Sequence, residues 1–250
     1  SLNVLGLFSV YQQREEGNYM KVTNMPFDVD WHNMGSGTIE SRSSYYRKIS
    51  MLSYVARINY SYKGKYLLTV SSRWDGSSKF AKDDRWGMFP SAALAWRMSE
   101  EDFMKPASDW LSNLKLRLSY GVTGNNAGVG PYDTQSLANI KYYYNFGNSV
   151  ANGYGYSMAN SELTWEKTTE LNLGVDFGFF NNRISGSVDV YNKTSKDLLM
   201  EMDTPFELGS ATGSIYSNVG KVNNRGIEIQ LNTVNYRNKD WNWETNFSFA

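Results

Sequence analysis

The sequence contains no cysteine, only one histidine and five prolines, and its formal net charge is zero. Without cysteine, neither a disulfide framework nor a thiolate metal site can form. His32 alone cannot build a histidine metal site, and no serine or cysteine elbow near it suggests a catalytic triad. We therefore predict no metal, no cofactor and no catalytic residue. The balanced charge also gives no basic face, so we expect no nucleic-acid partner.

Long hydrophobic runs are missing too. The mean hydropathy is −0.52, and no window approaches the roughly 18 apolar residues of a membrane-spanning helix. Aromatic residues nevertheless make up 15% of the chain. A soluble β-rich protein has this composition, but so does a transmembrane barrel, because half of each strand faces water inside it.

Both termini suggest a piece of a longer protein. Ser1 to Tyr11 has no basic leader and no small-residue cleavage site, so we expect no signal peptide there. The alternating pattern is still running at Phe249-Ala250. We therefore expect residues 1–250 to form part of a barrel domain whose closing strands lie outside this sequence.

Apolar and polar residues alternate with a period of two along most of the chain, which predicts β-strands. In the clearest case Leu114, Leu116 and Leu118 fall on one face, and Lys115 and Arg117 fall on the other. The predicted strands cover residues 2–11, 46–62, 66–75, 86–97, 112–124, 163–179, 184–200, 217–234 and 241–250. Most are longer than the roughly 5–6 residues of an ordinary strand and match the roughly 9–11 that a tilted membrane strand needs.

The connections alternate in length. Those after the even-numbered predicted strands are mostly short, at 63–65, 98–111, 180–183 and 235–240. Those after the odd-numbered strands are mostly long, at 12–45, 76–85, 125–162 and 201–216. Short periplasmic turns and long extracellular loops are typical of outer-membrane barrels. The fold class predicted is therefore all-β, an antiparallel up-and-down transmembrane β-barrel of which about nine strands are present.

The polar face should line an aqueous lumen, because Lys or Arg facing lipid at mid-membrane costs about 2–4 kcal/mol. The predicted lumen-lining residues are Arg57, Lys115, Arg117, Glu166, Glu170, Asp176, Glu228 and Glu244. Aromatic residues in the long loops are candidate ligand contacts, since their faces stack on sugar rings and peptide side chains. These candidates are Trp31, Tyr142, Tyr143, Tyr144, Tyr154 and Tyr156. The alternative is that they pack the loops or meet a partner.

A glycosidase and a polysaccharide-binding module are the two other functional classes that bear on this pattern. A glycosidase needs carboxyl groups about 5–5.5 Å or 6.5–9.5 Å apart. Glu166 and Glu170 share a face but lie four residues apart, which is about 13 Å along a strand. A secreted all-β module that binds polysaccharide, such as a sandwich or propeller, remains the alternative, since it also explains the alternation.

Several blocks in order resemble the SusC/RagA family of TonB-linked outer-membrane transporters, over most of the chain from about residue 46. These blocks are Arg73–Phe80, Arg85–Ser91, Ala95–Arg97, Glu100–Met104, Leu114–Asn125, Leu163–Thr169, Phe177–Arg183, Tyr191–Lys193, Asn218–Gly220 and Gly226–Glu228.

The resemblance implies a gram-negative outer-membrane barrel of about 22 strands with an N-terminal plug, neither of which is complete in this sequence. It implies import of oligosaccharides or peptides, driven by the TonB complex and assisted by a SusD-like surface lipoprotein. The expected partners are therefore these two, the substrate and outer-membrane lipid, and no enzymatic activity is expected.

Overall fold

A computed structural model describes residues 1–27, 30–208 and 213–250. Nine antiparallel strands form one continuous sheet. In sheet order they are β1 (Leu2–Thr23), β2 (Thr38–Tyr62), β3 (Tyr66–Ser77), β4 (Trp86–Arg97), β5 (Leu111–Asn125), β8 (Glu166–Phe179), β9 (Ile184–Lys196), β12 (Lys221–Arg237) and β13 (Asn242–Phe249).

Two small hairpins stand outside the sheet, between its strands in sequence. They are β6 (Ala138–Phe146) with β7 (Ser149–Tyr156), and β10 (Leu199–Asp203) with β11 (Ser214–Asn218). Short 3-10 helices cover Asp30–Ser36, Met98–Glu100, Asp102–Ala107 and Phe206–Leu208. None of the described helices has the length and apolar character to cross a membrane.

All nine predicted strands belong to the large sheet, and β4 has the predicted bounds. The predicted loop at 12–45 is wrong, because β1 and β2 stay paired from Leu2↔Tyr60 to Thr23↔Thr38. Its residues are polar on both faces, so no alternation marks them as strands. The predicted loop at 125–162 contains the hairpin of β6 and β7. The hairpin of β10 and β11 extends beyond the predicted loop at 201–216, so the predicted strands 184–200 and 217–234 wrongly include its outer residues.

One face of the sheet is apolar across its width. A register row of apolar residues crosses eight strands, and its members are Leu2, Tyr60, Leu68, Leu94, Leu118, Leu173, Val190 and Ile227. Most are strongly exposed, with Leu173 at 54% and Leu94 at 52%. These side chains do not meet in a common centre, and within the described chain no second sheet covers them. The sandwich alternative is therefore wrong, and the apolar face is the lipid-facing surface that a membrane barrel requires.

The connections at one end of the sheet are tight. Lys63 (φ 52°) and Gly64 (φ 69°) are the central residues of the turn between β2 and β3, which the Lys65 N–H closes on the Tyr62 carbonyl at 3.0 Å. Positive φ at both central residues suits the twist of the flanking strands. Phe180, Asn181 and Asn182 also adopt positive φ between β8 and β9. The sequence Ser99–Met104 resembles a capping box, but Ser99 lies inside the first 3-10 helix and neither helix there has a side-chain cap.

Candidate functional site

A cluster of charged side chains lies on the polar face of β5, β8 and β9. The Arg117 guanidinium contacts Asp176 at 2.7 Å and Asp189 at 3.0 Å, and Lys115 Nζ lies 2.7 Å from the second Asp176 oxygen. The side chains of these residues are 15–32% exposed, so solvent screens the pairs only partly. Asp189, which was not among the predicted residues, joins two strands by sharing Arg117 with Asp176.

Gly174 makes this arrangement possible. It pairs with Arg117 on one side and with Asp189 on the other. A Cβ at this position would lie 2.5 Å from Asp189 Oδ1 and 2.7 Å from Arg117 Nη2. The guanidinium therefore reaches Asp189 across the space that a larger residue would fill.

The other predicted lumen residues are distributed along the same face. Arg57 and Glu170 belong to one register row, which also contains Ser71, Ser91 and Gly121. Glu228 pairs with Asp189 and is exposed, and Glu244 contacts Arg237 at 2.7 Å.

Glu166 has a more local role. It accepts hydrogen bonds from Asn125 Nδ2 and from the backbone N–H of Leu199, both at 3.3 Å. These bonds join β5, β8 and the beginning of β10, so the contacts of Glu166 hold the base of the loops together.

A buried apolar cluster lies at the end of the sheet where the long connections leave. Its members are Phe80, Phe89, Val129, Leu163 and Trp165, all at most 7% exposed. Trp165 packs against Phe80 and Phe89 at 5.2 and 5.3 Å between ring centroids. Its indole N–H donates to the Arg85 carbonyl at 3.2 Å. Four members come from the connections, namely Phe80, Val129, Leu163 and Trp165, and Phe89 comes from β4. The cluster therefore fixes the loops to the sheet.

Asn218 reinforces this anchoring. Its side-chain oxygen accepts from the Thr164 N–H, and its Nδ2 donates to the carbonyls of Thr164 and Asp197, each at 2.9 Å. The Asn218 side-chain amide thus bonds both the N–H and the carbonyl of Thr164, as the backbone of a paired strand would. The resemblance included Asn218 and Thr164 as separate blocks, and the structure brings them together.

A cavity of about 490 Å³ opens between these loops and the extended hairpin of β1 and β2. Its lining includes Arg47, Tyr132, Asp133, Glu201 and Tyr216. The Tyr132 hydroxyl accepts from the backbone N–H of Lys48 at 3.3 Å, which ties the loop to the hairpin. We call this space, defined by its five named lining residues, the mouth cavity. None of the five was predicted, because their segments show no strand period and come together only in the fold.

A half-buried lysine lies beside the mouth cavity. Lys79 Nζ donates to the Asn126 carbonyl at 2.9 Å. Burial lowers the pKa of Lys79 below its ordinary value, and the nearby Asp133 carboxylate opposes that shift only in part. Lys79 holds the loop after β3 against the loop after β5.

The opposite end of the sheet has its own charged centre. Glu101 accepts from Tyr66 Oη at 2.7 Å, Lys65 Nζ at 3.0 Å and Trp96 Nε1 at 3.1 Å. The Tyr66, Lys65 and Trp96 donors hold the pKa of Glu101 at about 2. This carboxylate joins the turn after β4 to the start of β3.

Of the predicted aromatic ligand contacts, Tyr156 lies at the end of β7 and is 58% exposed. The side chains of the other five lie outside the described residues, namely Trp31, Tyr142, Tyr143, Tyr144 and Tyr154. Their role stays a prediction.

The lipid-facing apolar surface, the opposite polar face and the alternating connections together define the wall of an outer-membrane β-barrel. Residues 2–250 match the family described as TonB dependent receptor-like, beta-barrel. The chain belongs to this family, and its relatives place it in the SusC/RagA group of the gram-negative outer membrane. This family comprises receptors and transporters and not enzymes.

Three relatives illustrate the similarity. The chain is 36% identical to TonB-dependent receptor P39 of Formosa agariphila over 99% of its own length and 24% of the relative. It is 38% identical to TonB-dependent receptor SusC of Bacteroides thetaiotaomicron over 85% of this chain and 21% of SusC. The structure of the RagAB peptide transporter matches with 30% identity and a TM-score of 0.81, over 99% of this chain and 27% of that one. The chain thus spans about a quarter of P39 and about a quarter of a second Formosa agariphila relative, TonB-dependent receptor P3.

Proposed function

We propose that the protein containing this wall imports oligosaccharides or peptides across the outer membrane. In this proposal the TonB complex drives transport through a plug domain outside residues 1–250, and further strands close the barrel. The structural similarity to the RagAB peptide transporter supports the peptide class, and the similarity to SusC supports transport of this general type. The polar face would line the passage, so the Arg117 cluster and its neighbours would keep the passage hydrated.

The mouth cavity is the observation that carries the proposal. It lies where the long loops converge, and it presents a cation, two carboxylates and two aromatic rings within one space. Such a combination can hold a polar ligand by charge-assisted hydrogen bonds and by stacking. The buried loop cluster keeps these groups in place before ligand arrives, which lowers the cost of ordering on binding.

A SusD-like surface lipoprotein would act with the loops to enclose the ligand. This partner is inferred from membership in the SusC/RagA group. Copurification of the tagged full-length protein from its native membrane tests it, and recovery of the transporter without a lipoprotein would contradict it.

The transport proposal is tested by deleting the gene and measuring growth on a panel of oligosaccharides and peptides. We expect growth to fail on one class and to return with the parent gene. Arg47→Gln should raise the half-saturating ligand concentration by about tenfold, because a hydrogen bond to a charged group contributes about 1.5–3 kcal/mol.

Arg42→Gln is the matched control. Arg42 lies on the same extended hairpin but on its other face, since it is separated from Arg47 by an odd number of residues. Unchanged growth of the deletion strain on every tested ligand would refute the proposal.

A further inference from the structure

Three lysines form a row on the lipid-facing surface. Lys167 pairs with Lys196, and Lys196 pairs with Lys221, on the adjacent strands β8, β9 and β12. Each lies six residues along its strand from the apolar row, at Leu173, Val190 and Ile227 respectively, without an intervening bulge. An even separation puts two residues on the same face of a strand. The lysines therefore share the face of the apolar row, and all three are exposed.

Their height fits the headgroup region of the outer leaflet. Six residues rise about 20 Å along a strand, or about 15 Å along the membrane normal for a tilt of about 40°. On this face of β8 the apolar side chains run from Leu171 to Phe179, which is about 20 Å along the normal by the same arithmetic. Lys167 lies four residues beyond Leu171, so the lysine row lies just beyond the hydrocarbon. The long loops leave from this end of the strands, which makes it the extracellular end.

The row lacks counter-charges. Among the described residues, none of the three lysines takes part in an ion pair, and Asp197, which follows Lys196, is not paired with it. Neighbouring strands lie about 4.8 Å apart, so the three backbone positions span only about 10 Å. Like charges directly opposite each other in a sheet are destabilising, and an anion between them would reverse this effect.

Another pair of cations on the same face shows the contrast. Arg14 and Lys48 are also register partners, and each lies four residues from the last apolar residue of its strand on this face, Val10 in β1 and Leu52 in β2. There, Glu16 forms an ion pair with Arg14. The lysine row has no such carboxylate, so its compensating charge must come from outside the described chain.

An apolar groove begins below the lysine row. It is lined by Leu118, Leu171, Leu173, Val190 and Ile227, and Arg225 borders it. The groove holds about 580 Å³. Arg225 lies four residues from Lys221 on the same face of β12, and its Nε donates to Asn223 Oδ1 at 2.9 Å. A cationic row, an arginine and an apolar groove thus follow one another towards the membrane centre.

We propose that Lys167, Lys196, Lys221 and Arg225 bind a phosphate-bearing glycolipid of the outer leaflet. The phosphate oxygens lie over the lysine row, and one acyl chain occupies the groove beside Leu173. A lipid fits better than a soluble anion because the groove continues from the cations into the hydrocarbon, where only a lipid can follow. The site is separate from the mouth cavity and does not depend on what is transported.

The test uses the full-length transporter extracted from its native membrane into detergent. The variant carries Lys167→Gln, Lys196→Gln and Lys221→Gln. The control carries Lys63→Gln, Lys82→Gln and Lys239→Gln, which removes the same charge from exposed turns and loops. Three probes are titrated while the unfolding temperature is recorded: lipid A with its phosphates, the same lipid with its phosphates removed, and inorganic phosphate. Native mass spectrometry counts the lipid that remains bound after extraction.

We expect phosphorylated lipid A to raise the unfolding temperature of the parent and of the control. The concentration needed should be at least tenfold lower than the concentration needed for the triple variant. Removal of the phosphates should weaken the effect on the parent to the same extent, and inorganic phosphate at equal concentration should have no effect. Equal lipid affinity in the triple variant and the parent would overturn the proposal. An equal response to inorganic phosphate, or an equal loss in the control, would overturn it as well. Transport assays on the same variants report separately on the proposed function.

Discussion

At the residue scale, Glu101 is the group whose ionisation is most clearly linked to stability. Its pKa is about 2 in the folded protein, against 4.5 for the ordinary side chain. The folded pKa is depressed, so the stabilisation is fully present above about pH 4.5 and is lost as the pH falls towards about 2. The three donors around the carboxylate are the cause.

We therefore predict that Glu101→Gln flattens the dependence of the unfolding temperature on pH below about 4.5 and lowers stability at neutral pH. The measurement is thermal unfolding of the full-length protein in detergent over this range. Glu100→Gln is the control, because the Glu100 side chain is 50% exposed and forms its exposed ion pair with Arg97. If the unfolding temperature of Glu101→Gln still falls with pH below about 4.5 as steeply as that of the parent, the role of this carboxylate is contradicted.

Arg117 illustrates a second residue-scale requirement, which is geometric. Its guanidinium contacts Asp176 and Asp189 together, and a lysine ammonium is a single point charge that lacks the planar fork. We predict that Arg117→Lys lowers the free energy of unfolding by about 1–2 kcal/mol. Arg57→Lys should change it by less than about 0.5 kcal/mol, because Arg57 is exposed and has no ion pair among the described residues. Denaturant unfolding of the two variants in parallel decides between these values.

At the element scale, strand positions could be predicted wherever one face meets lipid and the other water. Lys115, Arg117 and the leucines between them show this contrast, and β5 lies within one residue of its predicted bounds. The outer halves of β1 and β2 meet water on both faces, so residues such as Gln12 and Ser44 contain no periodic signal. The mouth cavity could not be predicted either, since Arg47, Tyr132 and Glu201 are brought together from three distant segments.

The loop cluster gives the element-scale prediction. Trp165 is 3% exposed and packs between Phe80 and Phe89, and truncating a buried aromatic residue to alanine costs about 3–5 kcal/mol. We predict that Trp165→Ala releases the loops after β3 and β5, so that protease cleaves them faster while the sheet stays folded. Limited proteolysis followed by mass spectrometry locates the cuts.

Trp241→Ala is the control for side-chain size, because Trp241 is 73% exposed. Its cleavage pattern should match that of the parent. Loops that resist protease equally in Trp165→Ala would show that the cluster does not anchor them.

At the scale of the whole molecule, the nine-stranded sheet exposes its apolar face, and β1 and β13 each have one edge with no strand partner in the described chain. Free edges and large apolar surfaces promote aggregation. We predict that residues 1–250, expressed alone, are insoluble in buffer and are dispersed only by detergent. Size-exclusion chromatography checks this, and a monodisperse soluble monomer without detergent would contradict the membrane assignment of the apolar face.

The two loop excursions that carry the small hairpins begin and end on register partners of the sheet. Asn125 pairs with Glu166, and Lys196 pairs with Lys221, so each excursion closes on strands that already lie side by side. Inserting or deleting residues in such a segment changes the entropy of loop closure only slowly with length. Segments 126–165 and 197–220 can therefore be grafted or diversified as cassettes during evolution, while the transmembrane scaffold is inherited intact.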